Sequence, residues 1–309
     1  MKFFKPKFWD KNKISFFSIV LLPATLLIKA LTLFKKLFIK KHQFSIPIIC
    51  VGNIYLGGTG KTPLCIEIFS ILKRLKKKPA FIRKKYKSYE DESYMEQEIG
   101  PTYESKKRAN ALNNAIQNKI DIAILDDGFQ DQSIKKNMSI ICFNEKQWIG
   151  NGLTIPSGPL RENLSALNRA NCIVIYGKKN INIENKILEN NKLIKIFYAK
   201  YKPQNINEFE NKKIISFAGI GNPNNFFELL KKNRIDVLEE ISFPDHYQYS
   251  KKDLDKLIEK SEKNNAILLT TEKDYHRINN EYKKNIHYLK IKIEIREEEK
   301  FIEEIKKII

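Results

Sequence analysis

Residues 51–63 read Val51-Gly52-Asn53-Ile54-Tyr55-Leu56-Gly57-Gly58-Thr59-Gly60-Lys61-Thr62-Pro63. A short apolar run, 46–51 (IPIICV), leads into them, and a helical pattern leaves them as far as about Leu75. Strand, glycine-rich loop and helix in that order are the setting of a P-loop. Gly57, Gly58 and Gly60, with Thr59 among them, let backbone N–H groups turn inward around phosphate oxygens. The helix N-terminus adds partial positive charge. Lys61 can reach β- and γ-phosphates, and the Thr62 hydroxyl suits Mg²⁺, so the stretch asks for ATP or a similar nucleotide. Tyr55 stands where the usual pattern has its first glycine.

Outward from this loop, strands are expected at 79–83 (PAFIR), 121–125 (DIAIL) and 139–143 (SIICF), with a polar, irregular stretch at 84–98. Strands alternating with helices imply a parallel sheet covered on both faces. Asp126 and Asp127 follow DIAIL. Carboxylates at the carboxyl end of a strand beside a P-loop are placed to hold Mg²⁺, whereas Asp-Asp-Gly without that setting is a turn. Residues 144–170 hold Gly150, Gly152, Pro156, Gly158 and Pro159, which reads as a hinge. A second α/β series runs through 172–176, 193–198, 213–218, 236–242 and 266–270, and the charged amphipathic stretch 297–309 reads as a closing helix. The expected division is an N-terminal segment 1–42, a P-loop domain 43–150, a linker and active-site loop 151–170, and a second, smaller α/β domain 171–309.

The net charge is +20, but Lys, Ile and Asn are abundant throughout and no arginine stripe with interleaved aromatics occurs. That argues against a nucleic-acid partner. Cys50, Cys65, Cys142 and Cys172 form no C-x-x-C pair, which fits reduced, apolar thiols without disulfides or structural zinc. Residues 14–34 (ISFFSIVLLPATLLIKALTLF) are apolar, with Lys2, Lys5, Lys7, Lys11 and Lys13 before them and Lys35, Lys36, Lys40 and Lys41 after. A signal peptide lacks a clear cleavage site here, and a spanning helix is interrupted by Pro23 and Lys29. A helix lying in an anionic membrane surface, its lysines reaching phosphates, fits best; a buried helix is the other reading.

Three further segments carry chemistry. Arg161, set just after Pro156-Ser157-Gly158-Pro159-Leu160, either binds phosphate bidentately or pairs with Glu162 on the surface. His246, in Phe243-Pro244-Asp245-His246-Tyr247, either orients a base, contacts phosphate or is structural. Thr270-Thr271-Glu272-Lys273-Asp274 ends a strand with groups that suit an anion, and Asp91-Glu92 has nothing local to separate it from solvated surface.

Taken together these motifs resemble the tetraacyldisaccharide 4'-kinase (lipid A 4'-kinase) family. The resemblance rests on V-G-N-x-x-x-G-G-T-G-K-T-P at 51–63, D-D-G-F-Q at 126–130 and N-G-x-x-x-P-x-G-P-L-R-E at 151–162. It continues with A-G-I-G-N-P-x-x-F-F at 218–227, F-P-D-H at 243–246 and T-T-E-K-D at 270–274. It implies two α/β/α domains joined by a short β linker, the first a P-loop domain, with an N-terminal helix at the membrane. It implies Asp91 as catalytic aspartate with His246 as partner, and Arg161 and Gln130 as polar active-site residues. Three positions depart from the family pattern: Asp131 replaces a histidine, Arg83-Lys84-Lys85-Tyr86 lacks a glycine, and Glu90 replaces the glycine before Asp91.

The expected activity is transfer of phosphate from MgATP to the 4'-hydroxyl of the tetraacylated glucosamine disaccharide 1-phosphate precursor of lipid A. Lys61, Arg161, Asp91 and His246 are the expected catalytic groups, at the cytoplasmic face of the bacterial inner membrane, with no obligate protein partner. A P-loop GTPase would carry an N-K-x-D motif, and none aligns. A non-enzymatic ATP switch would carry lysine where Leu56 stands.

Overall fold

The computed structural model describes residues 6–11, 13–85 and 90–309, the side chains of residues 90–92 excepted. Lys2, Lys5, Tyr86 and the side chain of Asp91 therefore lie outside the described residues. Twelve strands are assigned among them: β1 Ile48–Gly52, β2 Pro79–Lys84, β3 Thr102–Ser105, β4 Ile122–Asp126, β5 Met138–Asn144, β6 Cys172–Tyr176, β7 Lys195–Pro203, β8 Lys213–Ala218, β9 Asp236–Ser242, β10 Ile267–Thr271, β11 Ile286–Leu289 and β12 Ile291–Ile295. They form an eight-stranded sheet, β12-β7-β6-β5-β1-β4-β2-β3, and a four-stranded one, β11-β10-β8-β9.

The chain divides into two units. One runs through Lys85, Gly100–Lys200 and Glu294–Ile309; the other holds the helix Glu90–Ile99 and Tyr201–Ile293. This corrects the expected border at 170/171. Strands β6 and β7 extend the first sheet, with β6 parallel to β5 in the register Ile140↔Cys172. The glycine- and proline-rich stretch 144–170 is thus a long loop between neighbouring strands of one sheet, not an interdomain linker. The chain leaves that unit within β7 and returns within β12. The polar stretch 84–98 also differs from expectation, because Glu90–Ile99 is helical.

In the larger unit the P-loop strand is central. β1 lies parallel between β4 and β5, in the registers Val51↔Asp126 and Val51↔Ile140. β1, β4, β5 and β6 are buried along their whole length, as sheets covered on both faces require. The helix Lys61–Arg74 packs Leu64, Cys65, Ile68, Ile71 and Leu72 inward at helical spacing. Gly52 ends β1 in van der Waals contact with the β4–β5 loop, and a Cβ there would fall 2.5 Å from that of Phe129.

Near the N-terminus two helices, Phe16–Val20 and Leu22–Leu37, meet at Leu21. Pro23 does not break the second helix, because it occupies the first turn, where its missing N–H has no partner to lose. Among the described residues no helix is long and apolar enough to cross a membrane.

The smaller unit has its own two cores. One centres on Phe226, Phe227, Leu230 and Leu269, the other on Phe217, Tyr249, Leu254 and Leu268, on either side of the four-stranded sheet.

Candidate active site

The carboxyl ends of β1, β4 and β2 place the charged groups. Parallel register sets Asp126 of β4 beside Val51, and Ile82 of β2 beside Leu125. Arg83, one residue on, therefore reaches Asp126. After β1 the chain turns through Gly57 and Gly60, with φ +125° and +83°, a backbone that glycine adopts without a Cβ penalty. Asn53 is fully buried beneath this turn and donates to the Thr59 hydroxyl at 2.9 Å and to the Gly57 carbonyl at 3.3 Å. The Tyr176 hydroxyl donates to the Gly60 carbonyl at 2.8 Å. The loop is thus held from beneath before any ligand arrives.

The two aspartates have separate surroundings. Asp126 is buried; its Oδ2 accepts from the Thr62 hydroxyl at 3.0 Å and from Arg83 Nη1 at 2.7 Å. Its Oδ1 is buried with no hydrogen-bond partner among the described residues. A hydroxyl and a carboxylate with an oxygen to spare are the hard donors that Mg²⁺ takes. Asp127 has φ +52°. Both its carboxylate oxygens accept from Arg161 Nη1, at 2.8 and 2.9 Å, and Lys61 Nζ lies 3.7 Å from Oδ1. Two cations therefore converge on one carboxylate at the mouth of the phosphate loop.

Arg161 thus pairs with Asp127 rather than with Glu162. The latter accepts from Lys36 at 2.9 Å and Arg169 at 2.7 Å. Burial pushes the Glu162 carboxyl up, but those two cations outweigh it and hold it below the usual carboxylate range. Gln130 braces the site, donating to the Asn53 carbonyl at 2.8 Å and facing Arg161 Nη1 at 3.4 Å.

Three residues joined this site without being read from the sequence as part of it. Arg108 donates to the Asp127 carbonyl at 2.8 Å and approaches Asp131 at 3.4 Å, pinning the backbone beneath the paired aspartates. Arg83 stood out only as part of a departing segment, though an arginine at the end of the strand next to the aspartate strand was the available signal. Asn53 lies inside the motif itself. Nothing local marks Arg108.

His246 belongs to the other unit. Its φ is +55° and its N–H donates to the Gly219 carbonyl at 3.0 Å. Arg277 donates to that same carbonyl at 2.8 Å and to Asp274 at 3.0 Å. Asp274 is fully buried and also accepts from Tyr249, Thr271 and the Gly219 N–H. Burial pushes its carboxyl up, against the pull of Arg277 and these donors. Thr270 and Asp274 of the T-T-E-K-D segment are therefore buried braces. Asp274 acts on the Gly219 N–H and on Arg277, which also holds the Gly219 carbonyl that His246 bonds, and the Thr270 hydroxyl is spent on the Phe217 carbonyl at 2.7 Å. Asp91 lies in the helix Glu90–Ile99 of this unit, and its side chain is outside the described residues.

The family model described as tetraacyldisaccharide-1-P 4'-kinase matches residues 17–309. A tetraacyldisaccharide 4'-kinase of Pelagibacter ubique is 44% identical over 100% of this chain and 99% of its own length. That of Rickettsia typhi is 31% identical over 90% of this chain and 91% of its own length. Among solved structures, LpxK from Aquifex aeolicus, determined in complex with ATP, superposes with a TM-score of 0.72 at 26% identity. The match covers 94% of this chain and 99% of that one.

Proposed function

Since the chain belongs to the tetraacyldisaccharide-1-phosphate 4'-kinase family, we propose that the groups gathered on Asp126 and Asp127 carry its phosphoryl transfer. The enzyme is a kinase of lipid A biosynthesis that phosphorylates the 4'-hydroxyl of the tetraacylated disaccharide 1-phosphate. ATP is the donor in this reading. Gly57, Gly58, Thr59 and Gly60 cradle its phosphates and Lys61 neutralises the β- and γ-oxygens. Thr62, Asp126 and Asp127 would hold Mg²⁺, which supplies charge neutralisation on the phosphates.

The observation that carries this reading is the pairing of Lys61 and Arg161 with one half-exposed carboxylate. Asp127 keeps both cations at the loop mouth without burying them in a closed bridge. An incoming triphosphate offers more negative charge than one carboxylate, so both cations can turn to it. Arg161 then stabilises charge on the transferred group. Asp91, with His246, takes the proton of the 4'-hydroxyl. The hydrogen bonds of the His246 N–H and of Arg277 to the Gly219 carbonyl hold the His246 loop, which supports His246 as the partner of that base.

The lipid acceptor explains the N-terminal helices. Phe16, Phe17, Leu26, Leu27, Leu31, Phe34, Leu37 and Phe38 are more than half exposed, a run of large apolar side chains on neighbouring helices rather than single scattered ones, which marks an interaction surface. Lysines flank it at both ends. In this reading the face lies in the anionic cytoplasmic leaflet of the inner membrane, where the acyl chains of the acceptor reside.

The test is turnover at saturating ATP and lipid. Asp91→Asn and His246→Ala should each slow turnover, by about 10²–10⁴-fold for the base, with little change in ATP affinity. Their double variant should lose less than the product of the two losses. Full activity in Asp91→Asn would place the base elsewhere.

A further inference from the structure

The loop 151–162 has two bonded faces. On one, Asn151 Nδ2 donates to the Ser18 hydroxyl at 3.0 Å, the hydroxyls of Thr25 and Ser157 lie 2.7 Å apart, and the Ser157 N–H donates to the Thr25 hydroxyl at 3.2 Å. Lys36 completes this face on Glu162 at 2.9 Å. On the other, the Leu56 N–H donates to the Pro159 carbonyl at 2.8 Å and the Arg161 N–H to the Ile54 carbonyl at 2.7 Å. Pro159 is two positions after Ser157 in the chain, and Arg161 four positions after it.

The N-terminal helices are therefore turned inside out relative to an ordinary surface helix. Their inward stripe is hydroxyl: Ser18, Thr25 and their partner Ser157 are almost wholly buried. Their outward face is phenylalanine and leucine. Had the contact served only to hold the helix to the body, burying the leucines would stabilise it far more. Hydrogen bonds give little net stability but are directional, so they fix a register that apolar contacts would let slide.

We propose that Thr25 and Ser157 are positioning residues that couple the seating of the helix Leu22–Leu37 on a lipid surface to the setting of Arg161 and the phosphate loop. The inference rests on the reading of the apolar face as a lipid-binding surface. In water that face is unsatisfied, and the docked, bonded arrangement competes with others that hide it. Lipid covers the face, favours the docked arrangement and so shifts the population toward a correctly set Arg161. The consequence is that lipid activates the enzyme even when lipid is not the acceptor.

The experiment uses the full chain, ATP, and a short-chain, water-soluble analogue of the disaccharide 1-phosphate that does not partition into bilayers. Turnover is measured with and without empty vesicles of phosphatidylglycerol and phosphatidylethanolamine, alongside co-sedimentation with the same vesicles. Wild type should bind the vesicles and turn over several-fold faster with them, chiefly in kcat rather than in KM for ATP. Thr25→Val and Ser157→Ala leave the outer face intact. They should sediment as wild type does but show no stimulation by the vesicles, whereas Thr25→Ser, which retains the hydroxyl, should keep it. Binding without stimulation in wild type, or equal stimulation in Thr25→Val and Ser157→Ala, overturns the coupling. Failure of wild type to bind vesicles defeats the lipid-surface reading, and the coupling with it.

Discussion

Replacing Arg83 by methionine should destabilise the larger unit. The Asp126 carboxyl has no solvent exposure, and Arg83, itself nearly buried, is 2.7 Å from it. Met fills much of the space of the arginine stem but leaves the carboxylate, among the described residues, with the neutral Thr62 hydroxyl as its donor. Breaking a buried ion pair by removing one partner costs about 3–5 kcal/mol, because the other charge stays buried. For a cooperative unit of this size, about 2–4 °C of melting temperature is lost per kcal/mol, so Tm should fall by roughly 6–20 °C. The second variant in the series, Arg83→Met with Asp126→Leu, removes both charges and should recover most of the loss. Thermal unfolding followed by circular dichroism, without nucleotide, reads both. A fall of less than about 2 °C in the single variant would show that Arg83 does not compensate Asp126. A double variant no more stable than the single one would refute the reasoning as well.

Asp126→Asn should raise the Mg²⁺ concentration needed for half-maximal turnover, read from a magnesium titration at fixed ATP; an unchanged titration removes Asp126 from the metal site. Asp274→Ala leaves the buried Arg277 without its anion and should cost about 3–5 kcal/mol in thermal unfolding. The Glu162 carboxyl is held below its ordinary 4.5. A depressed carboxylate stabilises the fold fully above its unfolded pKa and loses that contribution as pH falls through its folded pKa. The Tm gap between wild type and Glu162→Gln should therefore be constant at neutral pH and close only in acid below that ordinary value. A gap that closes as pH rises contradicts the assignment.

The phosphate loop, its strand and the aspartate strand were legible because each is local: turn glycines, a lysine and carboxylates sit at fixed spacing from one apolar run. Nine of the strand placements follow the same logic, but β3, β11 and β12 did not show. The strand Thr102–Ser105 has no apolar residue except Tyr103, and β11 and β12 follow each other with only Lys290 between them. The domain border was misplaced because glycine and proline report that a chain turns, not which sheet its next strand joins. CIVIY reads equally well as the start of a new sheet or as the sixth strand of the old one; only packing against β5 decides. Arg108 illustrates what sequence withholds at the site. It acts through carbonyls of Asp126 and Asp127 some twenty positions away, and no local pattern records that contact. The resemblance to the kinase family supplied Asp91 and His246, which composition and spacing did not.

The most direct measurement is transfer of label from γ-labelled ATP to purified tetraacylated disaccharide 1-phosphate, with the position of the new phosphate read by mass spectrometry. Wild type is run against Lys61→Ala, which removes the charge aimed at the β- and γ-phosphates. The account predicts label on the 4'-oxygen with wild type, and a folded Lys61→Ala protein of unchanged Tm that transfers none. Wild-type hydrolysis of ATP without lipid labelling, or near-normal transfer by Lys61→Ala, would contradict it.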